Sequence, residues 1–182
     1  MTRAAAALDA VFDKVDGFFA RVAARYPGEL ACQAGCHDCC APDLTVTPVE
    51  AQAIGAYLRS LENEQRAEIA EHAEGGGETR CAALGGDGRC SIYPVRPLVC
   101  RSHGVVVRLS GPTRHTLPVL DCCPRNFKTR DLAAIDADCI LEQRTLSTLL
   151  AAVHAVTRAG EVSNRVPLRD ILMNQGQEGV AR

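Results

Sequence analysis

Residues 32–40 read Cys-Gln-Ala-Gly-Cys-His-Asp-Cys-Cys, and residues 90–101 read Cys-Ser-Ile-Tyr-Pro-Val-Arg-Pro-Leu-Val-Cys-Arg. The first stretch crowds four thiols into nine residues and follows neither a helical nor a strand period. Two or three residues between successive Cys let the chain turn back, so that their sulfurs face one ion. A soft metal needs several such thiolates converging on one point. Cys39 and Cys40 are adjacent, so their side chains tend to diverge. That suits a polynuclear cluster, or two neighbouring sites, better than a single tetrahedral zinc. The middle of such a chain is irregular, and its regular elements are expected on either side.

Further along stand Cys81, Cys90, Cys100 and the pair Cys122-Cys123, and Cys139 brings the total to ten in 182 residues. Arg80, Arg89, Arg101 and Arg125 lie beside or near them. Four thiolates leave a divalent ion, or a [4Fe–4S] core, with net negative charge. Neighbouring guanidinium groups offset that charge and favour the thiolate. The alternative role of each Arg is a surface ion pair.

The length fits one domain that buries a core without crosslinks. A formal charge of −2 lacks the basic excess of a nucleic-acid surface, and three Tyr, four Phe and no Trp supply no stacking platform. No stretch reaches the roughly 18 apolar residues of a membrane span. The apolar N-terminal run is broken at Asp9, so no secretory leader is read there. The expected compartment is the cytoplasm, where ten Cys serve metal or redox chemistry better than five disulfides.

Outside the Cys-rich middle the periodicity is helical. Leu8, Val11, Phe12, Val15, Phe18, Phe19 and Val22 form one stripe of a helix over 4–24, stopped at Tyr26-Pro27-Gly28. Thr47-Pro48-Val49-Glu50 is a capping box opening a helix to about Leu61, with Ile54, Tyr57, Leu58 and Leu61 inward. Asn63 caps a more polar helix ending at Gly75-Gly76-Gly77. Residues 80–104 read as loops, with a helical turn after Pro97. Val105–Leu109 and Thr116–Leu120 are paired as a hairpin across Ser110-Gly111-Pro112, with Pro118 confining the second strand to an edge. A last long helix is expected from Asp136 to Ala159, closed by Gly160, with Ile140, Leu141, Leu146, Leu149, Leu150, Val153 and Val156 inward. Residues 166–172 add a helical turn, and the tail from Asn174 is polar and loose. The expected fold is mostly α, a single domain with irregular Cys-rich metal-binding loops and one small β-hairpin. Its parts are an N-terminal amphipathic helix (1–28), a cysteine-cluster region (29–128) and a C-terminal helix and tail (129–182).

The two quoted stretches, with Cys81-Ala-Ala-Leu upstream of the second, resemble the CxxCxxCC (YkgJ) cysteine-cluster family, whose domain is described as zinc- or iron-chelating. The run Cys-Ser-Ile-Tyr-Pro-x-Arg-Pro-x-x-Cys-Arg is far more specific than spaced Cys alone. The likeness covers about residues 30–125. It implies eight Cys ligands: Cys32, Cys36, Cys39, Cys40, Cys81, Cys90, Cys100 and a downstream Cys, here Cys122 or Cys123. Three residues separate Cys32 from Cys36 where the family name implies two.

Behind these ligands, Arg96, Arg101, His103 and His37 are expected to hydrogen-bond or to offset charge. Arg96 would clamp a carbonyl or a cluster sulfur, and Tyr93 would pack on the loop. Cys139 is read as a core residue. The expected cofactor is an iron–sulfur cluster, [4Fe–4S] favoured because of Cys39-Cys40, or zinc. The spacing Cys32-x3-Cys36-x2-Cys39 matches the loop of radical S-adenosylmethionine enzymes, but the repeated βα units of that fold are missing. No phosphate loop, Ser–His–Asp order or paired-carboxylate motif stands out. The expected function is metal binding in electron transfer or metal handling. The alternatives are a cluster-dependent group-transfer enzyme, by likeness to part of the flagellin lysine methylase proteins, and a zinc-stabilised interaction module. No membrane, nucleic acid or particular protein partner is read from the sequence.

Overall fold

A computed structural model gives the structure, which describes residues 3–40, 42–75, 80–111, 116–157 and 164–174. The elements in chain order are α1 (Arg3–Arg25), β1 (Thr45–Val46), α2 (Pro48–Ser60), α3 (Asn63–Gly75), α4 (Leu98–Ser102), β2 (Val106–Leu109), β3 (Val119–Asp121), β4 (Ile140–Glu142), α5 (Gln143–Thr157), β5 (Val166–Pro167) and α6 (Leu168–Met173). The fold is mostly α, as its periodicities indicate. No described helix is long and apolar enough to cross a membrane.

The hydrophobic side chains sort into two core clusters. The first is built on the α1 stripe: Leu8, Val11, Phe12, Val15 and Val22 are buried against Val105, Val106, Ile140, Leu141, Leu146 and Val153. α1 thus lies on α4 and α5. Cys139 is buried inside this cluster, in keeping with its reading as a core thiol. The second cluster joins Ile54 and Leu58 of α2, Ile69 and Ala73 of α3, and Leu168 and Leu172 of α6 to residues 81–84 and Ile92 of the Cys-rich middle. Each fully buried aliphatic side chain of this kind contributes about 1.5–3 kcal/mol. Both faces of the irregular middle are therefore anchored to packed apolar surface.

The capping box at Thr47 forms and reaches further than its motif requires. The Thr47 N–H donates to Glu50 Oε2 at 2.9 Å, and the Thr47 hydroxyl donates to the same oxygen at 2.8 Å. Glu50 Oε1 accepts the N–H of Leu98 at 2.8 Å. One buried carboxylate thus satisfies orphan donors at the starts of both α2 and α4. Tyr26, at the end of α1, packs edge-on to Phe127 and accepts the N–H of Asp136 at 2.9 Å.

The β-structure differs from expectation in three ways. The hairpin forms, but its second strand starts later: Leu109 pairs with Val119, Arg108 with Leu120 and Val107 with Asp121. Pro118 has no N–H to give a ladder, so pairing begins after it and leaves Leu117 exposed. A third strand, β4, runs parallel to β2, pairing Val106 with Ile140 and Val107 with Leu141. The apolar spacing puts Ile140 and Leu141 in the last helix, but Ala137–Cys139 is a single 3-10 turn and α5 begins only at Gln143. A second small sheet pairs Thr45 with Pro167 and Val46 with Val166, so the helical turn near 166 opens as a strand and continues as α6. Gly76, Gly77, Pro112, Gly160 and the tail beyond Asn174 lie outside the described residues.

Candidate metal centre

All ten thiols are free. Cys81 and Cys123 are buried, Cys36, Cys40, Cys90 and Cys122 are partly buried, and Cys32, Cys39 and Cys100 are exposed as whole residues. Two turns shape the first loop: the Cys36 N–H donates to Gln33 O at 3.0 Å and the Cys40 N–H to His37 O at 2.9 Å. Gly35, inside the first of them, takes a positive φ of 84° that side chains rarely adopt.

The second loop folds back at Gly85–Arg89. An isolated bridge joins Leu84 to Cys90, and the Ser91 N–H donates to Ala83 O at 2.8 Å. Cys40, Cys81 and Cys90 all pack on the second core cluster. His37 lies against the Gly88 turn: a Cβ built at Gly88 would stand 3.5 Å from its ring. The loops that carry 32–40 and 81–90 are thereby brought together.

The electrostatics trace the same proximity. Burial raises the Cys100 thiol to about 12, and the charges of Cys81, Cys90 and Cys39 push the same way. Burial likewise raises Cys81 and Cys90. Burial raises Cys32 too, against a hydrogen bond from Asn126, with Cys123 and Cys36 adding to the rise. Cys39 and Cys40 share a hydrogen bond that lowers Cys39 and raises Cys40. His103 stands close enough to Cys39 for its charge to favour the thiolate. These shifts describe neighbouring thiols that cannot all ionise without a compensating cation. Among the described residues, no three His, Cys, Asp or Glu side chains stand close enough together to hold a metal ion. The donor chemistry nonetheless fits a soft metal: free thiols gathered from two distant segments, with cationic groups nearby.

The arginines divide. Arg101, beside Cys100, was expected to face the thiols. Instead its buried guanidinium donates to Asp16 at 2.5 Å and to Arg96 O at 3.0 Å, bonds Pro94 O, and lies 4.1 Å over the Phe12 ring. It pins the Tyr-Pro-Val-Arg turn to α1 and is scaffold. Arg96 stacks 4.1 Å over the Tyr93 ring, stands 3.6 Å from Asp16, and lends its charge to Cys90. Arg125 pairs with Asp38 at 3.0 Å and also feels Cys36 and Cys123.

Two residues missed in the sequence organise the Cys32 side. Asn126, buried, accepts the Ala31 N–H at 2.8 Å and donates to Gly104 O at 2.6 Å and to Cys32 Sγ at 3.4 Å. Gly104 has φ +107°, and a Cβ there would stand 2.9 Å from Cys32 Sγ. A glycine after a His and an Asn after an Arg carry no motif, so only the folded chain reveals them. Of the adjacent pair, Cys123 shares its field with Cys32 and Arg125, whereas the Cys122 thiol turns toward Cys123 O and packs on the first core cluster. A cleft of about 360 Å³ opens here between α4, β2, β3 and α5, with His103, Cys122, Cys123, Val107 and Leu146 in its lining.

A family model named CxxCxxCC, "Putative zinc- or iron-chelating domain", matches residues 31–139, which is more than half of the chain. The chain belongs to this family. The match covers both cysteine loops and the Asn126 segment, and it supports metal binding by this cysteine-rich region. No curated protein and no solved structure matches the chain.

Proposed function

We propose that this CxxCxxCC domain holds a Cys-ligated iron–sulfur cluster, zinc, or both, and serves in electron transfer or metal handling. Cys32, Cys36, Cys39, Cys40, Cys81, Cys90 and Cys100 are the proposed ligands, with Cys123 or Cys122 as the eighth; the turn of the Cys122 thiol toward Cys123 O favours Cys123. The observation that carries this reading is the match of residues 31–139 to a zinc- or iron-chelating family, with all ten thiols free and the loops bearing residues 32–40 and 81–90 meeting where His37 lies against Gly88. A bound cluster supplies one-electron transfer, and bound zinc supplies structural closure. Arg96, Arg125 and His103 offset thiolate charge, while Arg101 and Asn126 hold the loops in place. Ten free cysteines favour a reducing compartment, and the cytoplasm is the proposed one.

The test is elemental analysis of anaerobically isolated protein, with iron, zinc and acid-labile sulfide counted per chain. Iron with sulfide and visible charge-transfer absorption supports the cluster. Zinc in a colourless protein supports the zinc form, and its role is then a stabilised interaction module if chelation unfolds the chain. Absence of stoichiometric metal overturns the reading.

A group-transfer enzyme is favoured by one observation, the cleft beside His103 and Cys123. Calorimetry that finds no binding of S-adenosylmethionine to the metal-loaded protein counts against it.

A further inference from the structure

We infer that Asn126 is a positioning residue of the metal centre: its side-chain N–H is preset to hydrogen-bond the Cys32 sulfur in its metal-bound, thiolate form, and so sets how much charge that ligand gives the metal. This rests on the metal-binding reading above and adds a residue outside the cysteine set that acts on the centre.

The orientation of the amide is fixed by its partners. The Ala31 N–H can only donate, and it meets Asn126 Oδ1 at 2.8 Å. Gly104 O can only accept, and it takes one N–H of Asn126 Nδ2 at 2.6 Å. A flipped amide would set donor against donor and acceptor against acceptor. The second N–H of Nδ2 therefore has Cys32 Sγ as its partner, at 3.4 Å. Asn126 is buried, so this N–H depends on the sulfur rather than on solvent. A neutral thiol is a weak acceptor for it. A thiolate carries the charge that makes the same bond strong. The arrangement thus matches the ionised sulfur of a metal ligand better than a free thiol.

The backbone holds the contact in place. The Asn126 N–H donates to Cys123 O at 2.9 Å, which fixes the segment carrying the amide. Gly104 has φ +107°, and a Cβ there would stand 2.9 Å from Cys32 Sγ, 3.2 Å from Asn126 Nδ2 and 3.3 Å from Phe19 Cε2. Sulfur, amide and ring edge converge on a backbone position that only glycine leaves open. A hydrogen bond to a ligand sulfur draws electron density away from it, so the sulfur gives less to the metal. On an iron–sulfur cluster such bonds help to set the reduction potential. On zinc they restrain the thiolate as a nucleophile.

The experiment loads the reduced full-length chain anaerobically with ¹¹³Cd²⁺, a thiolate-binding ion visible to NMR. Cadmium coupling to the Cys32 β protons reports the metal–sulfur bond. Coupling to a side-chain amide proton of Asn126 reports the N–H···S bond, because it crosses it. Both couplings are expected in the wild type. Coupling at Cys32 with none at the Asn126 amide overturns the inference and leaves metal binding intact, and so does cadmium coupled to other cysteines but not to Cys32. A chain that takes up no cadmium overturns both. Asn126→Leu keeps the branched shape and has no donor. Loaded with Co²⁺, it should show its sulfur-to-cobalt charge-transfer band shifted to lower energy than in the wild type. An unshifted band at equal cobalt content overturns the inference, since a purely structural Asn126 would not move it. If the leucine variant fails to fold, the wild-type amide coupling still decides.

Discussion

The side-chain amide of Asn126 lies 3.4 Å from the sulfur of Cys32, across 94 positions of chain. The same amide group binds Gly104 O and the Ala31 N–H, so one buried residue ties three segments around a single thiol.

Replacing Asn126 with Ala removes three hydrogen bonds and strands buried donors and acceptors, which should cost about 2–4 kcal/mol. Denaturant unfolding of the reduced protein measures it. Gly104→Ala adds a Cβ 2.9 Å from Cys32 Sγ at a φ of +107°. It should destabilise by about 1–3 kcal/mol and lower metal content more than Gly17→Ala, where a Cβ meets nothing within 4 Å. Equal metal content in the two variants would show that Cys32 needs no such close approach.

Arg101 is a planar fork serving Asp16 and two carbonyls beneath a ring, a geometry that a lysine ammonium does not reproduce. Arg101→Lys should therefore lose about 2 kcal/mol despite keeping its charge. Arg80→Lys, at an exposed position, should be neutral. Matched thermal melts of the two variants separate these outcomes.

How far the sequence was readable follows from which forces are local. The α1 stripe and the Thr47 capping box involve residues three or four apart, so periodicity and motif find them. Ile140 and Leu141 continue the apolar spacing of α5, and only the presence of β2 beside them turns them into strand. Arg101 stands next to Cys100 in sequence, which suggests a cation for that thiol. Helical geometry sends its side chain toward α1 instead, because residues adjacent on a helix face different directions. Asn126 and Gly104 act through contacts 22 and 94 residues away and leave no local trace.

Asp136 gives a pH dependence with a definite sign. Its carboxyl is held below the ordinary aspartate range by a 2.7 Å bond from Arg25, with Tyr26 helping. A depressed folded value adds stability above the unfolded pKa, and that contribution is lost as pH falls through the folded value. The pair is exposed, so the effect is small. The melting temperature of wild type should exceed that of Asp136→Asn at neutral pH, and the gap should close in acid below the usual carboxylate range. A gap that is constant with pH would exclude Arg25 as its source.

Metal removal should open the Cys-rich middle before the helices. Arg89 is exposed at the tip of the second loop, where its N–H is held by Asp87 at 2.9 Å. Chelation under reducing conditions should speed trypsin cleavage after Arg89 several-fold while far-UV circular dichroism changes little. Cleavage that starts within α1 or α5 would show that the metal supports the whole fold and not the loops alone.

Because Cys32 is seated against the Phe19 side and Cys81 within the α2–α3–α6 side, the thiols lie along a seam. Two separately packed masses of side chain meet there. An ion held in that seam would be braced from both masses at once, so its loss would loosen the loops that lie between them.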